Sequence, residues 1–405
     1  MYKPELLAPA GDLEKLKVAI IYGADAVFIG GKKYSLRAKA NNFEIKDIEE
    51  AVIFAHEHKA KVHITVNIYP HQEDLEPNEI DSYLKELDQA GVDAIIVSSP
   101  YIIRRAKELK CKFAVHVSTQ QSCANVEAIN FWQEQGVDRV VLARELTLLE
   151  LQDLTFKTKM PLEVFIHGGL CSSFSGRCSL SNYLTLRDAN RGGCAHSCRW
   201  FYELKENGQP LSNNEEEFRL GSKDLCSIEL IPSLLDLQIA SFKIEGRMKS
   251  LNYIACVVQA YRSLIDDYLR DKKHFNRYDF SKYLKMVARA ENRETTLAWL
   301  ANKTDSSSIL YNKDGEQPLQ DFLGIIHEYD AKTGLVAFEE RNHFEVGDEV
   351  SIIQPHSAEQ TFVISEIYNE KMEPLSVANV PLQKIYLKVP FTVADYSIIR
   401  LVNKV

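Results

Sequence analysis

Through its first 270 positions this chain repeats a short apolar run and an amphipathic stretch about every 25–30 residues. Leu6-Leu-Ala8, Ala26-Val-Phe-Ile29, Val62-His-Ile-Thr-Val66, Ala94-Ile-Ile-Val97, Phe113-Ala-Val-His-Val117, Arg139-Val-Val-Leu142 and Leu162-Glu-Val-Phe-Ile166 read as strands. Helical spacing fills the gaps at 12–22, 47–57 (with Asp47 as a cap), 80–90, 101–109, 125–135 and 147–154. An eighth run, Ser241-Phe-Lys-Ile244, comes only after residues 167–240 and leads into a strong amphipathic helix over 251–269. Strands joined by right-handed helical crossovers make a parallel sheet. Eight of them predict a TIM-like (β/α)8 barrel, open to distortion by the long insertion before strand eight, with an open doubly wound sheet as the alternative. The residues just past the runs favour the barrel: Pro9, Gly30, Asn67, Ser98, Ser118, Arg144, His167 and Glu245. In a barrel these strand ends converge on one site.

The pattern changes further on. The barrel with its insertion is expected to occupy 1–273, and 274–321 reads as a helical linker. From 322 to 405 short alternating runs at 323–329, 335–339, 349–353, 361–367, 385–389 and 397–401 are punctuated by Gly334, Gly347-Asp348 and Pro381. This predicts a small antiparallel β-barrel domain.

The insertion carries the chemistry. It contains His167-Gly-Gly-Leu-Cys171-Ser-Ser-Phe-Ser-Gly-Arg-Cys178 and Gly193-Cys194-Ala-His-Ser-Cys198, half of the chain's 8 cysteines, with Cys226 beyond them. A structural zinc ion usually takes two tight cysteine pairs, and only Cys194 and Cys198 are so spaced. An iron–sulfur cluster takes four thiolates at looser spacings, and the surrounding glycines let backbone wrap a bulky group. Thiol redox chemistry is the third reading. Cys111, Cys123 and Cys256 read as small buried hydrophobes.

Net charge is −9, which argues against nonspecific coating of nucleic acid. From 171 to 205 the balance reverses, with Arg177, Arg187, Arg191, Arg199 and Lys205 against Asp188 and Glu203. The first residues lack an apolar signal-peptide core, and no apolar run approaches the ~18 residues of a membrane span. A cytoplasmic protein with no membrane partner is expected.

Several motifs, in order, resemble the peptidase U32 family: Leu6-Leu-Ala-Pro-Ala-Gly-Asp12, Ala143-Arg-Glu-Leu146, Glu163-Val-Phe-Ile-His-Gly-Gly-Leu-Cys171 with its continuation to Ser181, Asn190-Arg-Gly-Gly-Cys194, Ser222-Lys-Asp-Leu-Cys226 and Phe242-Lys-Ile-Glu-Gly-Arg-Met-Lys-Ser250. Gly169 and Leu297-Ala-Trp299 depart from the family's usual residues. The resemblance implies the branch that forms 5-hydroxyuridine at the tRNA wobble position. It also implies a [4Fe–4S] cluster and prephenate as hydroxyl donor. Cys171, Cys178, Cys194 and Cys226 are its implied ligands, with Cys198 as the alternative fourth. tRNA is the implied partner, a paralogous U32 subunit a further one, and the small β domain an RNA-docking module.

Among other residues, Glu245 and Arg247 follow strand eight, where an arginine can clamp a carboxylate. Together with His167, four residues before Cys171, they are the catalytic candidates. Asn67, His116, Arg144, Glu145, Arg177, Arg191 and Arg199 are candidates for substrate contact, although a histidine such as His116 on a strand is more often a satisfied core residue. Peptidase activity is the chief alternative, and a noncatalytic cluster-bearing partner in an RNA-modification complex is the third. His56-Glu57-His58 is not an H-E-x-x-H metal motif, and no G-x-S-x-G elbow occurs.

Overall fold

The computed structural model describes residues 2–36, 42–211, 218–290, 293–302, 304–310 and 321–402. Seven parallel strands alternate with helices: β1 (Glu5–Pro9), β2 (Ala26–Gly30), β3 (Lys61–Val66), β4 (Ala94–Val97), β5 (Ala114–Val117), β6 (Arg139–Val141) and β7 (Leu162–Gly168). The eighth strand, Ser241–Ile244, pairs in parallel with β7 on one side and β1 on the other and closes the barrel. Strands buried on both faces explain why the runs in the sequence are mostly apolar. Polar residues cap the helices that follow. The Asp12, Asn125 and Thr147 side chains each accept from a first-turn amide. One expectation shifts: Glu44, not Asp47, caps the helix Ile45–Glu57, and Asp47 accepts from the Glu44 amide at 2.9 Å.

Among the described residues, two short strands of the barrel sheet were not evident in the sequence. Asp224–Cys226 runs antiparallel to the end of β7, and Thr295–Thr296 pairs beside it. The segment expected to be a helical linker thus folds back onto the barrel mouth after the helix Ser281–Ala288. Residues 313–316 of that expected linker lie outside the described residues.

The C-terminal part forms an eight-stranded antiparallel sheet with its own apolar core, including Leu323, Phe338, Ile352 and Ile399. Ile325, Ile353 and Ile398 turn the other way and join the barrel's core. The Tyr22 hydroxyl lies 3.0 Å from both the Ile353 and Tyr396 carbonyls, and Gln259 donates to the Gln354 carbonyl at 3.0 Å.

The barrel interior is charged at its floor. Glu163, 0% exposed, takes the Lys243 ammonium at 2.9 Å and the Arg139 guanidinium at 3.1 Å, and Arg139 also reaches Glu5 at 2.5 Å. Burial disfavours the Glu163 charge, but Lys243 and Arg139 more than offset this and hold its carboxyl far below the usual range. His63 and His116 pack edge-on beside this cluster with ring centroids 5.0 Å apart. Burial holds both imidazoles below their ordinary pKa, with the Glu5 carboxylate opposing the shift at His63.

Two outcomes follow from this interior. Glu163→Gln leaves two buried cations short of a counter-charge and is expected to cost about 3–5 kcal/mol in urea unfolding. The two histidines take up protons more readily when unfolded, at about pH 6.5. Their contribution is therefore complete above that value and is lost as pH falls from it through their lower folded values. The urea midpoint should drop between about pH 6.5 and pH 5. His63→Gln with His116→Gln should flatten that slope, and an unchanged slope would assign it to other groups.

Candidate active site

A cavity of about 440 Å³ opens at the C-terminal end of the barrel strands. Its floor is made by residues in or just past the strands, including Phe28, Thr65, Asn67, Ile96, Phe165 and Lys243. The cysteine insertion and the segment with Ala298, Trp299 and Ser308 form its walls. In a barrel of this kind chemistry occurs at this end, where side chains from many strands converge.

Cys171, Cys178, Cys194 and Cys198 all line this cavity. Cys171 is exposed and the other three are half-buried. Burial pushes the Cys198 thiol up, and the nearby Cys171 and Cys194 push it further, because a second negative charge among them is repelled. Cys226 sits behind the wall, buried, on the strand opposite His167, with its Sγ 4.0 Å from the Tyr261 hydroxyl. The thiol set at the cavity therefore contains Cys198, and Cys226 lies outside the lining. Among the described residues no three His, Cys, Asp or Glu side chains are grouped to hold a single metal ion.

Hydrogen bonds tie the insertion to the barrel. Asn190 donates to the Cys178 carbonyl at 3.0 Å, and the Tyr69 amide donates to the Asn190 carbonyl at 2.8 Å. Arg191 pairs with Glu73 at 3.1 Å and with Asp74, so its charge is engaged with the loop after β3. Arg177 is exposed and donates to the Ser122 hydroxyl at 3.2 Å. Arg199 lies against Gly169, where an added Cβ would stand 3.2 Å from its Nη2.

The strand-end candidates divide in two. Asn67, Arg144, Glu145, Glu245 and Arg247 line the cavity. Buried Arg247 donates to the Ser35 and Thr65 hydroxyls at 3.0 and 3.1 Å and to the Leu36 carbonyl. Asn67 accepts from the Leu36 amide at 3.2 Å, which fixes its side chain at the floor. The Arg144 guanidinium stacks on Phe165, 3.8 Å from its centroid. His116 and His167 are buried away from the lining, and His167 Nδ1 lies 3.2 Å from the Tyr261 hydroxyl.

Lys243 was missed. Its ammonium faces the cavity 4.5 Å from the Phe28 centroid and 5.4 Å from that of Phe165, above Glu163. Burial lowers its pKa while Glu163 opposes the shift. The available signal was a lysine inside a four-residue buried strand, where no solvated face exists for it.

This is a (β/α)8-barrel protein whose cavity lies at the strand ends beneath a cysteine-bearing insertion. The peptidase family U32 profile matches residues 11–310, and the peptidase family U32 C-terminal domain profile matches residues 319–400. The chain belongs to peptidase family U32. It is 43% identical over 391 residues to the tRNA hydroxylation protein P1 of Bacillus subtilis, covering 95% of this chain and 92% of that one. It is 32% identical over 441 residues to the tRNA hydroxylation protein P of Escherichia coli, covering 96% and 94%. The 23S rRNA 5-hydroxycytidine synthase of Escherichia coli is 38% identical over 272 residues, which span 67% of this chain and 40% of that protein.

Gly168 closes β7 at φ +103°, and a Cβ there would meet the Glu245 carbonyl at 2.4 Å. Gly168→Ala should destabilise the protein by more than ~1 kcal/mol, through strain and displacement together. Thermal unfolding would measure it, and a parent-like Tm would count against a tight β7 end.

Proposed function

We propose that this chain is an iron–sulfur protein that forms 5-hydroxyuridine at the wobble position of tRNA in the cytoplasm. The carrying observation is that four thiols and the polar strand-end residues meet at one cavity. The names of relatives that match nearly the whole chain support the same reading. Cys171, Cys178 and Cys194, with Cys198 or Cys226 as the fourth, would hold a [4Fe–4S] cluster. Thiols spread around a cavity suit a bulky thiolate-bound group better than a single zinc ion. When bound, such a cluster supplies one-electron redox chemistry.

The chain's own residues supply the rest. Phe28, Ile96 and Phe165 give an apolar floor that would exclude water and accept the face of a base turned out of its stack. Asn67, held by the Leu36 amide, presents its amide to the base edge. Arg247 and Lys243 place positive charge at the floor for a carboxylate of prephenate, the hydroxyl donor in this reading. Arg177 and Arg199 stand on the insertion, where tRNA phosphates would approach.

Deleting the gene, in a host without a redundant homologue, should abolish 5-hydroxyuridine-derived nucleosides in tRNA digests read by mass spectrometry. Unchanged levels would overturn the assignment. Purified anaerobically, the protein should carry iron and sulfide with broad absorbance at about 400 nm. Peptide hydrolysis by a colourless, metal-free preparation would instead favour the peptidase reading.

A further inference from the structure

In the barrel β7 lies between β6 and the eighth strand. The chain leaving its end carries Cys171, and both neighbouring strands send charged residues across to that loop. From the eighth strand's end, Glu245 Oε2 accepts from the Gly169 amide at 3.1 Å. From beyond β6, the Arg144 guanidinium donates to the Gly169 carbonyl, and the Arg144 amide donates to the Ser175 hydroxyl at 3.3 Å. Glu145 Oε1 accepts from the Ser175 amide at 3.0 Å and from its hydroxyl at 3.2 Å. The loop is thus gripped at Gly169 and at Ser175, with Cys171 in the span between.

We infer that Arg144, Glu145 and Glu245 are positioning residues that fix the Cys171 thiol over the cavity through the loop they grip. A carboxylate accepting amide hydrogen bonds holds backbone more firmly than a neutral acceptor does. A short span tied at both ends has few conformations left to lose. Cys171 is the exposed thiol of the four that line the cavity. Its place therefore sets the separation between thiols, and any group shared by them is bound more tightly when that separation is set in advance. The two grips act on one segment, so releasing either should free the thiol, and releasing both should add less than the sum. None of this depends on the substrate or on the tRNA reading.

The test uses the full-length, reduced, metal-free protein. Hydrogen exchange is followed at Gly169 through Ser175, and alkylation of Cys171 by iodoacetamide is followed by peptide mass spectrometry. Glu145→Ala and Glu245→Ala should each raise loop exchange and Cys171 alkylation about tenfold, as loss of a charge-assisted hydrogen bond implies. Exchange in β4 and alkylation of Cys111 should stay at parent rates. Glu145→Gln and Glu245→Gln keep a carbonyl acceptor and should restore most of the protection. Parent-like exchange and alkylation in the Ala variants, or Gln variants no better than Ala, would overturn the inference. Should an Ala variant fail to fold, Ser175→Ala decides, since it removes the loop hydroxyl and leaves both carboxylates in place. Glu145 keeps its bond to the Ser175 amide in that variant, so a rise in Cys171 alkylation smaller than tenfold supports the clamp, and the parent rate refutes the grip at Ser175.

Discussion

The pairing of β7 with the eighth strand is the contact on which the architecture depends. These strands are neighbours in the barrel, yet residues 169–240 separate them in the chain. Because this pairing is parallel, the segment leaves at the C-terminal end of β7 and must cross to the opposite end of the barrel, past the helix Ile231–Asp236, before the eighth strand begins. Its first part therefore starts out at the barrel's mouth. The antiparallel strand Asp224–Cys226 lies on the last residues of β7 and anchors the returning chain there. The cysteines at 171–198 follow the end of β7 before that crossing, and they line the cavity at the strand ends.

Below the mouth the barrel is filled by paired charges where branched aliphatic residues are usual. Two carboxylates, Glu5 and Glu163, balance two cations, Arg139 and Lys243, with two neutral imidazoles alongside. Desolvating four ions is expensive, and their mutual attraction offsets it only when the geometry is well satisfied. The arrangement brings a compensated ammonium to the cavity floor between two aromatic rings, a charge that an aliphatic layer would lack.

The barrel was legible in the sequence because each strand is a short, mostly apolar run and capped helices follow most of them. The eighth strand was legible despite the insertion for the same reason. Asp224–Cys226 and Thr295–Thr296 were not, because strands of three and two residues carry no periodicity. The thiols were visible as a group, but which of them share a wall depends on how the insertion folds. Cys226 lies on a strand turned toward Tyr261, and Cys198 lies in a short helical turn facing the cavity. Lys243 was hidden by its setting, since a lone lysine among Phe242 and Ile244 looks like an ordinary break in an apolar run. Glu145 and Glu245 stand out in the sequence because they follow strands, and both line the cavity. Their hydrogen bonds to Gly169 and Ser175 are long-range contacts that no local pattern encodes.

The late closing strand also fixes an order of events during synthesis. A chain grows from its N-terminus at about 5–20 residues per second, and a distant pairing cannot form before both partners exist. Ser241 must emerge before it can meet Glu5, its partner on β1. Cys171, Cys178, Cys194 and Cys198 emerge earlier, while the sheet beneath them is still open along one edge. On the ribosome these thiols thus pass through an interval in which they are more accessible than in the finished fold, and the wall behind them is completed last.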